Sequence, residues 1–148
     1  MKNRTILYID MDGTIADLYG EPQWLEDLNA SSTRPFENAK PMISQTDLLK
    51  HYPIDQYDIR VLSMTPKNAT PEYCKRVAQV KDEWLNKYFP IIKHRVYIKY
   101  GHNKNLRGCR KHTLIDDNET IRLNFKGQAY APMWAWAIPL KSQVKILP

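Results

Sequence analysis

The first apolar run of the chain ends in two acidic residues that stand two positions apart. Residues 6–9 read Ile-Leu-Tyr-Ile, and Asp10-Met11-Asp12-Gly13-Thr14 follows. A short apolar run of this kind predicts a buried β-strand, and side chains at positions i and i+2 of an extended segment point the same way. Gly13 lets the backbone turn directly afterwards. Asp10 and Asp12 should therefore face one place, which suits a divalent cation or a carboxylate nucleophile, although Asp and Gly also form ordinary turns.

Similar apolar runs recur and alternate with a helical pattern. We predict further strands at residues 57–62, 95–98 and 113–115, and a last strand with a turn within residues 124–130. Thr70-Pro71-Glu72 supplies a capping hydroxyl, a proline and an acid, so a helix should run from there to about Phe89. Its buried stripe is predicted to comprise Tyr73, Val77, Val80, Trp84 and Tyr88. This alternation indicates a single α/β domain, residues 1–148, with a parallel sheet and helices on its faces.

The segment between the first two strands has a different character. Residues 21–28 predict one short helix, and Ser44, with an acid three residues later, predicts the start of another. Residues 31–35 are expected to form a loop. Together these elements predict a small helical insertion over about residues 18–54. The tail, with Trp134 and Trp136 between prolines, is expected to pack on the domain.

Charge and composition narrow the classes of function. The net charge of +6 divides into −4 over residues 1–60 and +10 over residues 61–148, and residues 91–115 contain no acid. A positive field attracts anionic ligands, although a solvated surface has the same composition. No apolar run approaches the roughly 20 residues of a membrane helix, so we expect no membrane partner, no signal peptide and, with Cys74 and Cys109 as free thiols, a cytoplasmic location.

Three predicted strand ends carry polar side chains. They are Asp10 with Asp12, Ser63, and Asp116 with Asp117. Parallel sheets bind ligands at the carboxyl ends of their strands, so these groups should converge if the strands are neighbours. That convergence favours a functional site over an ordinary turn.

The order of these residues resembles the motifs of the haloacid dehalogenase superfamily of phosphotransferases. The resemblance comprises residues 10–14, the strand that ends at Ser63, Lys104, and the strand that ends in Asp116-Asp117. It spans residue 6 to about residue 130. It implies a Rossmann-like, three-layer αβα sandwich in which the helical insertion forms a small cap.

The same resemblance implies the chemistry. The chain would be a Mg²⁺-dependent phosphomonoester hydrolase in which Asp10 attacks phosphorus and forms an aspartyl-phosphate. Asp12 would protonate the leaving oxygen and later deprotonate the attacking water. The metal ligands would be the Asp10 carboxylate, the Asp12 backbone carbonyl and the Asp116 carboxylate, with Asp117 as an additional ligand or in contact with the ligands.

Four residues would bind the phosphoryl group on this reading. They are Ser63, Lys104, Gly13 and Thr14, and the Thr14 hydroxyl would also position Asp12. The residues leave alternatives open: Thr65 replaces Ser63 if the second strand runs longer, and Lys99 and Lys111 compete with Lys104. We prefer Lys104 because it stands twelve residues before Asp116, far enough for a helical turn and a return into the last strand.

The substrate is the most open point. The layout of residues 10–14, 63–66, 83–85 and 114–118 looks most like the 5'(3')-deoxyribonucleotidase-like group, which implies a nucleoside monophosphate. Trp24 or Phe36 would then stack on the base. The rivals are a phosphatase acting on nucleic-acid ends, held by the basic run at residues 93–111, and a binding module that keeps the fold without turnover.

Overall fold

A computed structural model describes residues 3–132 and contains a five-stranded, fully parallel sheet. The strands are β1 (Thr5–Ile9), β2 (Tyr57–Met64), β3 (His94–Ile98), β4 (Thr113–Ile115) and β5 (Gln128–Tyr130). The predicted parallel α/β fold is confirmed. The expected packing of Trp134 and Trp136 lies outside the described residues.

Five α-helices accompany the described strands. They are α1 (Trp24–Asn29), α2 (Arg34–Asn38), α3 (Gln45–His51), α4 (Pro71–Tyr88) and α5 (Glu119–Asn124), with short 3-10 helices at Leu18–Gly20 and Cys109–Lys111. None of these helices combines the length and the apolar character that crossing a membrane requires. The first three lie between β1 and β2, where the insertion was predicted.

One local prediction is wrong, and one short helix was not predicted. Residues 31–35 were expected to be a loop, but α2 begins at Arg34, because Pro35 has the fixed φ that the first turn of a helix accepts. The last strand predicted within residues 124–130 is present as the three-residue β5, whereas α5, which ends at Asn124, was not predicted. This helix is too short to show a periodic pattern, and it begins after Asn118, whose side chain accepts a hydrogen bond from the backbone of Ile121.

The longest helix, α4, follows its predicted bounds. The Thr70 hydroxyl accepts a hydrogen bond from the backbone N–H of Tyr73 at 3.1 Å, and the helix ends at Tyr88. Of the predicted stripe, Tyr73, Val77 and Trp84 are buried, whereas Val80 and Tyr88 are partly buried. The helix is therefore anchored along one face, which also fixes every other side chain on that face.

The strand order β3-β2-β1-β4-β5 places β1 at the centre of the sheet. The chain builds outward from β1 through β2 to β3 and then crosses to the other side of β1, where it forms β4 and β5. Apolar clusters cover both faces: α4 packs on one, and the side chain of Ile121 from α5 packs on the other. A reversal of strand order opens a crevice at the carboxyl ends of the two strands involved, which here are β1 and β4.

Candidate active site

The ends of β1 and β4 bring three carboxylates together. Ile9 is paired with Ile115, and the backbone N–H of Asp10 donates to the carbonyl of Ile115 at 2.9 Å. Asp116 is therefore the direct neighbour of Asp10, and Asp117 follows it. One carboxylate oxygen from each of the three acids lies within 4.8 Å of the others. The expected convergence of these two strand ends is confirmed.

Lys104 lies between two of these acids. Its Nζ donates to Asp10 Oδ1 at 2.9 Å and to Asp116 Oδ2 at 2.6 Å, and its side chain is 2% exposed. Burial alone would lower the pKa of Lys104, but the charges of Asp10 and Asp116 outweigh that effect and hold its pKa above the ordinary value. The alternatives Lys99 and Lys111 are both exposed. Lys104 lies in the loop after β3, and the helical turn predicted between Lys104 and Asp116 is present as the 3-10 helix Cys109–Lys111.

Asp12 has a different cationic partner, which was not among the predicted site residues. The Nζ of Lys81, in α4, donates to Asp12 Oδ2 at 2.9 Å, to Ser63 Oγ at 2.8 Å and to the carbonyl of Met64 at 2.9 Å. The Lys81 side chain is 1% exposed. The two aspartates of the first motif are thus held by two separate buried lysines.

A signal for Lys81 was present in the sequence. Lys81 stands four residues after Val77 and three before Trp84, both of which were predicted to be buried. Residues at these spacings share one face of a helix. A lysine on a buried face needs an acidic or hydrogen-bonding partner, so its position alone indicated a partner in the core.

The two candidate hydroxyls of β2 occupy different places. Ser63 is fully buried and contacts Lys81, whereas Thr65 lines the cavity above the acids. The strand runs one residue beyond the predicted end, to Met64, which was the condition for preferring Thr65. Thr65 is held in place by its backbone N–H, which donates to the carbonyl of Ile98 at 2.8 Å.

Thr14 connects the two acidic strand ends. Its hydroxyl lies 3.2 Å from Asp10 Oδ2 and 3.3 Å from Asp117 Oδ1, and it accepts a hydrogen bond from the Asp117 backbone N–H at 3.2 Å. The prediction that this hydroxyl positions Asp12 is wrong, because its partners are Asp10 and Asp117. The turn at Gly13 instead directs Thr14 back toward β4.

Gly13 is required by its backbone and by its surroundings. Its φ of +81° lies in the left-handed region, and an added Cβ would come within 2.9 Å of the Tyr19 ring and would collide with the Asp117 carboxylate. Its backbone N–H donates to the carbonyl of Ala16 at 2.9 Å. Gly13 therefore shapes the loop, and its predicted N–H contact with phosphate would compete with an existing hydrogen bond.

Crowding changes the ionisation of the acids. Burial, followed by the charge of Asp10, raises the pKa of Asp116 to about 6. Burial also raises the pKa of Asp12, and Lys81 opposes that rise. Loss of hydration and the charge of Asp10 raise the pKa of Asp117, although its side chain stays exposed and water screens part of the effect.

The acids form the floor of a cavity of about 640 Å³. Its lining includes residues of the insertion and residues that follow β2 and β3: Tyr19, Trp24, Phe36, Thr65, Lys67 and Tyr100. The Tyr19 and Trp24 rings meet edge to face, with their centroids 4.9 Å apart. The cavity thus combines a charged floor with aromatic walls.

The donor set suits a hard divalent cation. Asp10, Asp116 and Asp117 offer carboxylate oxygens, which Mg²⁺ and Ca²⁺ prefer. With all three acids ionised, Lys104 neutralises only one of the three negative charges, so the floor keeps an excess of about two. The predicted metal ligands therefore fit Mg²⁺ by chemistry, and Asp12 would contribute its backbone carbonyl because Lys81 holds its carboxylate.

The basic run at residues 93–111 does not form one continuous surface. Lys104 lies inside the site, and the Arg95 guanidinium packs against α4 by donating to the carbonyl of Asp82 at 3.1 Å. Lys93, Arg107 and Arg110 are exposed. A nucleic-acid partner on this run stays a prediction.

No family model matches this chain, and no curated protein or solved structure matches it either. The interpretation of the site therefore depends on its own geometry.

Proposed function

We propose that this chain is a Mg²⁺-dependent phosphomonoesterase of the haloacid dehalogenase type. The observation that carries the proposal is the Lys104 ammonium, which contacts both Asp10 and Asp116 at the floor of the cavity. A phosphate monoester is a dianion that repels an anionic nucleophile, so a carboxylate can attack it only where fixed positive charge offsets that repulsion. A buried ammonium on the nucleophile's own oxygen supplies such a charge.

The reaction has two balanced steps. In the first, an Asp10 oxygen bonds to phosphorus while the ester P–O bond breaks, and the departing oxygen takes the proton of Asp12. In the second, Asp12 takes a proton from water, the water oxygen bonds to phosphorus, and the P–O bond to Asp10 breaks. Inorganic phosphate leaves, and both aspartates regain their starting state. Bound Mg²⁺ would offset phosphoryl charge beside Asp10, Asp116 and Asp117.

One lysine and one hydroxyl would stabilise the transferring group. Lys104 is already held at Asp10, so its ammonium lies beside the phosphorus that Asp10 attacks. There it would neutralise the charge that develops on the phosphoryl oxygens. Thr65 lines the cavity wall and Ser63 does not, so Thr65 would make the hydroxyl contact with the phosphoryl group. Burial raises the pKa of Asp12, which favours the protonated form that the first step needs.

The cavity supports a nucleoside monophosphate as the substrate. Its volume of about 640 Å³ falls in the range of pockets that enclose small organic ligands. Trp24 and Tyr19 offer aromatic surface on which a base can stack, and Lys67 adds a cation to the same lining. Phe36 lies deeper, where its ring faces Lys81, so Trp24 is the better stacking residue.

A phosphorylated nucleic-acid end is the second candidate. A recess of about 320 Å³ adjoins the main cavity, and the two share Tyr100 and Asn118 in their walls. Such a second opening would let a polymer leave the site. A steep fall of apparent affinity with salt would favour the polymer, and weak salt dependence would favour the mononucleotide.

The proposal is tested by Mg²⁺-dependent release of inorganic phosphate. Nucleoside 5'- and 3'-monophosphates, a sugar phosphate and oligonucleotides phosphorylated at either end form the panel. Asp10→Asn should lower kcat by about four orders of magnitude or more, as removal of a nucleophile does. Asp55→Asn, at an exposed position, is the matched control and should leave kcat unchanged.

Covalent trapping adds a second test. Turnover of a substrate labelled in its phosphoryl group, quenched in acid, should leave labelled phosphate on the enzyme. Hydroxylamine should remove this label, because hydroxylamine cleaves acyl phosphates. The Asp10→Asn variant should acquire no label. Absence of release from every substrate, or equal turnover by Asp10→Asn and the unmodified protein, would refute the proposal.

A further inference from the structure

Lys81 is a fully buried cation that the proposed chemistry does not yet use. It lies in α4, 1% exposed, on the face that packs against the sheet. Taking an ammonium out of water costs several kcal/mol unless good partners compensate it. A methionine or leucine at this position would fill similar space without that cost, so the charge points to a role beyond packing.

The three contacts of Lys81 fix one location for its ammonium. A lysine has three N–H donors, and these find Asp12 Oδ2, Ser63 Oγ and the carbonyl of Met64 at 2.8–2.9 Å. Ser63 and Met64 belong to β2, a central strand of the sheet, so two of the three contacts anchor Lys81 to the rigid part of the fold. The third transmits that anchoring to Asp12.

The insertion covers the same ammonium. The Phe36 ring of α2 lies with its centroid 5.3 Å from Lys81 Nζ, a distance suited to a cation–π contact. Phe36 is itself buried. The ammonium is thus enclosed by β2, by the first motif and by the cap.

Asp12 depends on this lysine for its orientation. Among residues 3–132, Lys81 is the one hydrogen-bond partner of the Asp12 carboxylate. The side chain of Asp12 keeps 18% of its surface exposed and lines the cavity. One oxygen is therefore held, and the carboxylate still reaches the space where a leaving group would stand.

We propose that Lys81 is a positioning residue that holds Asp12 in place to protonate the leaving oxygen. The inference rests on the proposed function, since it needs Asp12 as the acid and Asp10 as the nucleophile. Lys104 serves the phosphoryl group through Asp10 and Asp116, whereas Lys81 serves the leaving group through Asp12. In the first step, one buried lysine therefore assists attack on phosphorus and the other assists departure of the leaving oxygen.

Dependence on the leaving group tests this division. Phenyl phosphate and p-nitrophenyl phosphate differ little in size, but only the phenolate of the first needs substantial protonation as it departs. The parameter kcat/KM reports the steps up to departure of the phenol and excludes hydrolysis of the phosphoenzyme. We expect Lys81→Met to lower kcat/KM for phenyl phosphate by about 100-fold or more, the usual contribution of general acid catalysis, and for p-nitrophenyl phosphate by less than about 10-fold.

Two further variants complete the experiment. Lys75→Met removes an exposed lysine from the same helix and should leave kcat/KM unchanged for both aryl phosphates. Lys81→Arg keeps the charge and donors, so it preserves the fold, but its planar fork cannot reproduce three contacts around one nitrogen. In Lys81→Arg, kcat/KM should again fall more for phenyl phosphate than for p-nitrophenyl phosphate, but by a smaller factor than in Lys81→Met.

The outcomes separate the two proposals. If the unmodified protein hydrolyses neither phosphate and no substrate of the wider panel, the proposed function fails. If it does hydrolyse them and Asp10→Asn abolishes turnover, the function stands, and the Lys81 variants decide the inference alone. Equal losses on both aryl phosphates in Lys81→Met and in Lys81→Arg, or no loss on either, would overturn the positioning role.

Discussion

Replacing Lys104 with methionine should destabilise the protein far more than replacing an exposed lysine. Lys104 is buried and donates to Asp10 and Asp116, so Lys104→Met leaves two neighbouring carboxylates without their counter-charge. Methionine is close to lysine in length and apolar volume, and it therefore removes the charge while leaving little empty space. The variant isolates electrostatics from packing.

The structure gives the size of the effect. Oxygens of Asp10 and Asp116 lie within 4.8 Å, and two unit charges at that distance repel by about 3.5 kcal/mol at an effective dielectric constant of about 20. Breaking a buried ion pair by removing one partner costs about 3–5 kcal/mol in general. We therefore expect Lys104→Met to lower the free energy of unfolding by about 3–5 kcal/mol at about pH 8 without divalent cations.

The loss should shrink in acid. Burial and Asp10 already raise the pKa of Asp116 to about 6, and removal of the Lys104 charge raises it further. A carboxylate whose folded pKa lies above its unfolded pKa destabilises the fold as the pH rises through the folded value. At about pH 5.5, protonation replaces the missing ammonium, so Lys104→Met and the unmodified protein should differ less than at about pH 8.

Urea unfolding in EDTA measures the free energy of unfolding at both pH values. Added Mg²⁺ then tests whether a divalent cation can replace the Lys104 ammonium. Mg²⁺ should recover part of the stability of Lys104→Met at about pH 8, because ligand binding to the folded state stabilises it. Lys111→Met is the matched control at an exposed position. A loss below about 1 kcal/mol, the range of an exposed ion pair, would refute the reasoning for Lys104.

Three other predictions concern single side chains. Thr65→Val should raise the KM for phosphate esters by about 10-fold, as loss of a hydrogen bond to a charged group does, whereas Ser63→Ala should leave KM nearly unchanged; the reverse order in steady-state kinetics would restore Ser63 as the phosphate ligand. Asp117→Asn removes a like charge, so thermal unfolding in EDTA should occur at a higher temperature while the Mg²⁺-induced gain becomes smaller; an undiminished gain would exclude Asp117 as a ligand. Burial and the charge of Arg60 hold the pKa of His112 below its ordinary value, so the unfolded chain takes up the proton first and stability falls below about pH 6.5. His112→Gln should lessen the loss between about pH 7.5 and about pH 5.5 in urea unfolding, and an equal loss in both proteins would contradict this.

Local signals in the sequence were sufficient to predict the longest helix and the central strands. The cap at Thr70 and the proline after it correctly predicted α4, because capping and φ preference act within one turn. The short apolar runs correctly predicted β1 and β4 for a similar reason. The helix α5 and the start of α2 were missed, since six and five residues give too few turns for a periodic pattern to appear.

The proximity of the two acidic strand ends was predictable, because alternating strands and helices allow few sheet topologies. Alternating strands and helices imply a parallel sheet, and parallel strands present their carboxyl ends at one edge. The direction of the strands therefore predicts that Asp10 and Asp116 lie together. Lys104 was preferred over Lys99 and Lys111 because of its spacing from Asp116, and of these three lysines it is the one buried beside the acids.

The sequence by itself thus determined the sheet, the long helix and the convergence of Asp10 with Asp116, because these follow from hydrophobic periodicity and chain direction. Tertiary structure alone decided that Lys81 holds Asp12, that Thr14 connects Asp10 with Asp117, and that Thr65 rather than Ser63 faces the cavity. Each of these depends on which way a side chain points across a packed interface, and a shift of one residue along a strand reverses that direction. Spacing in the chain does not carry that information.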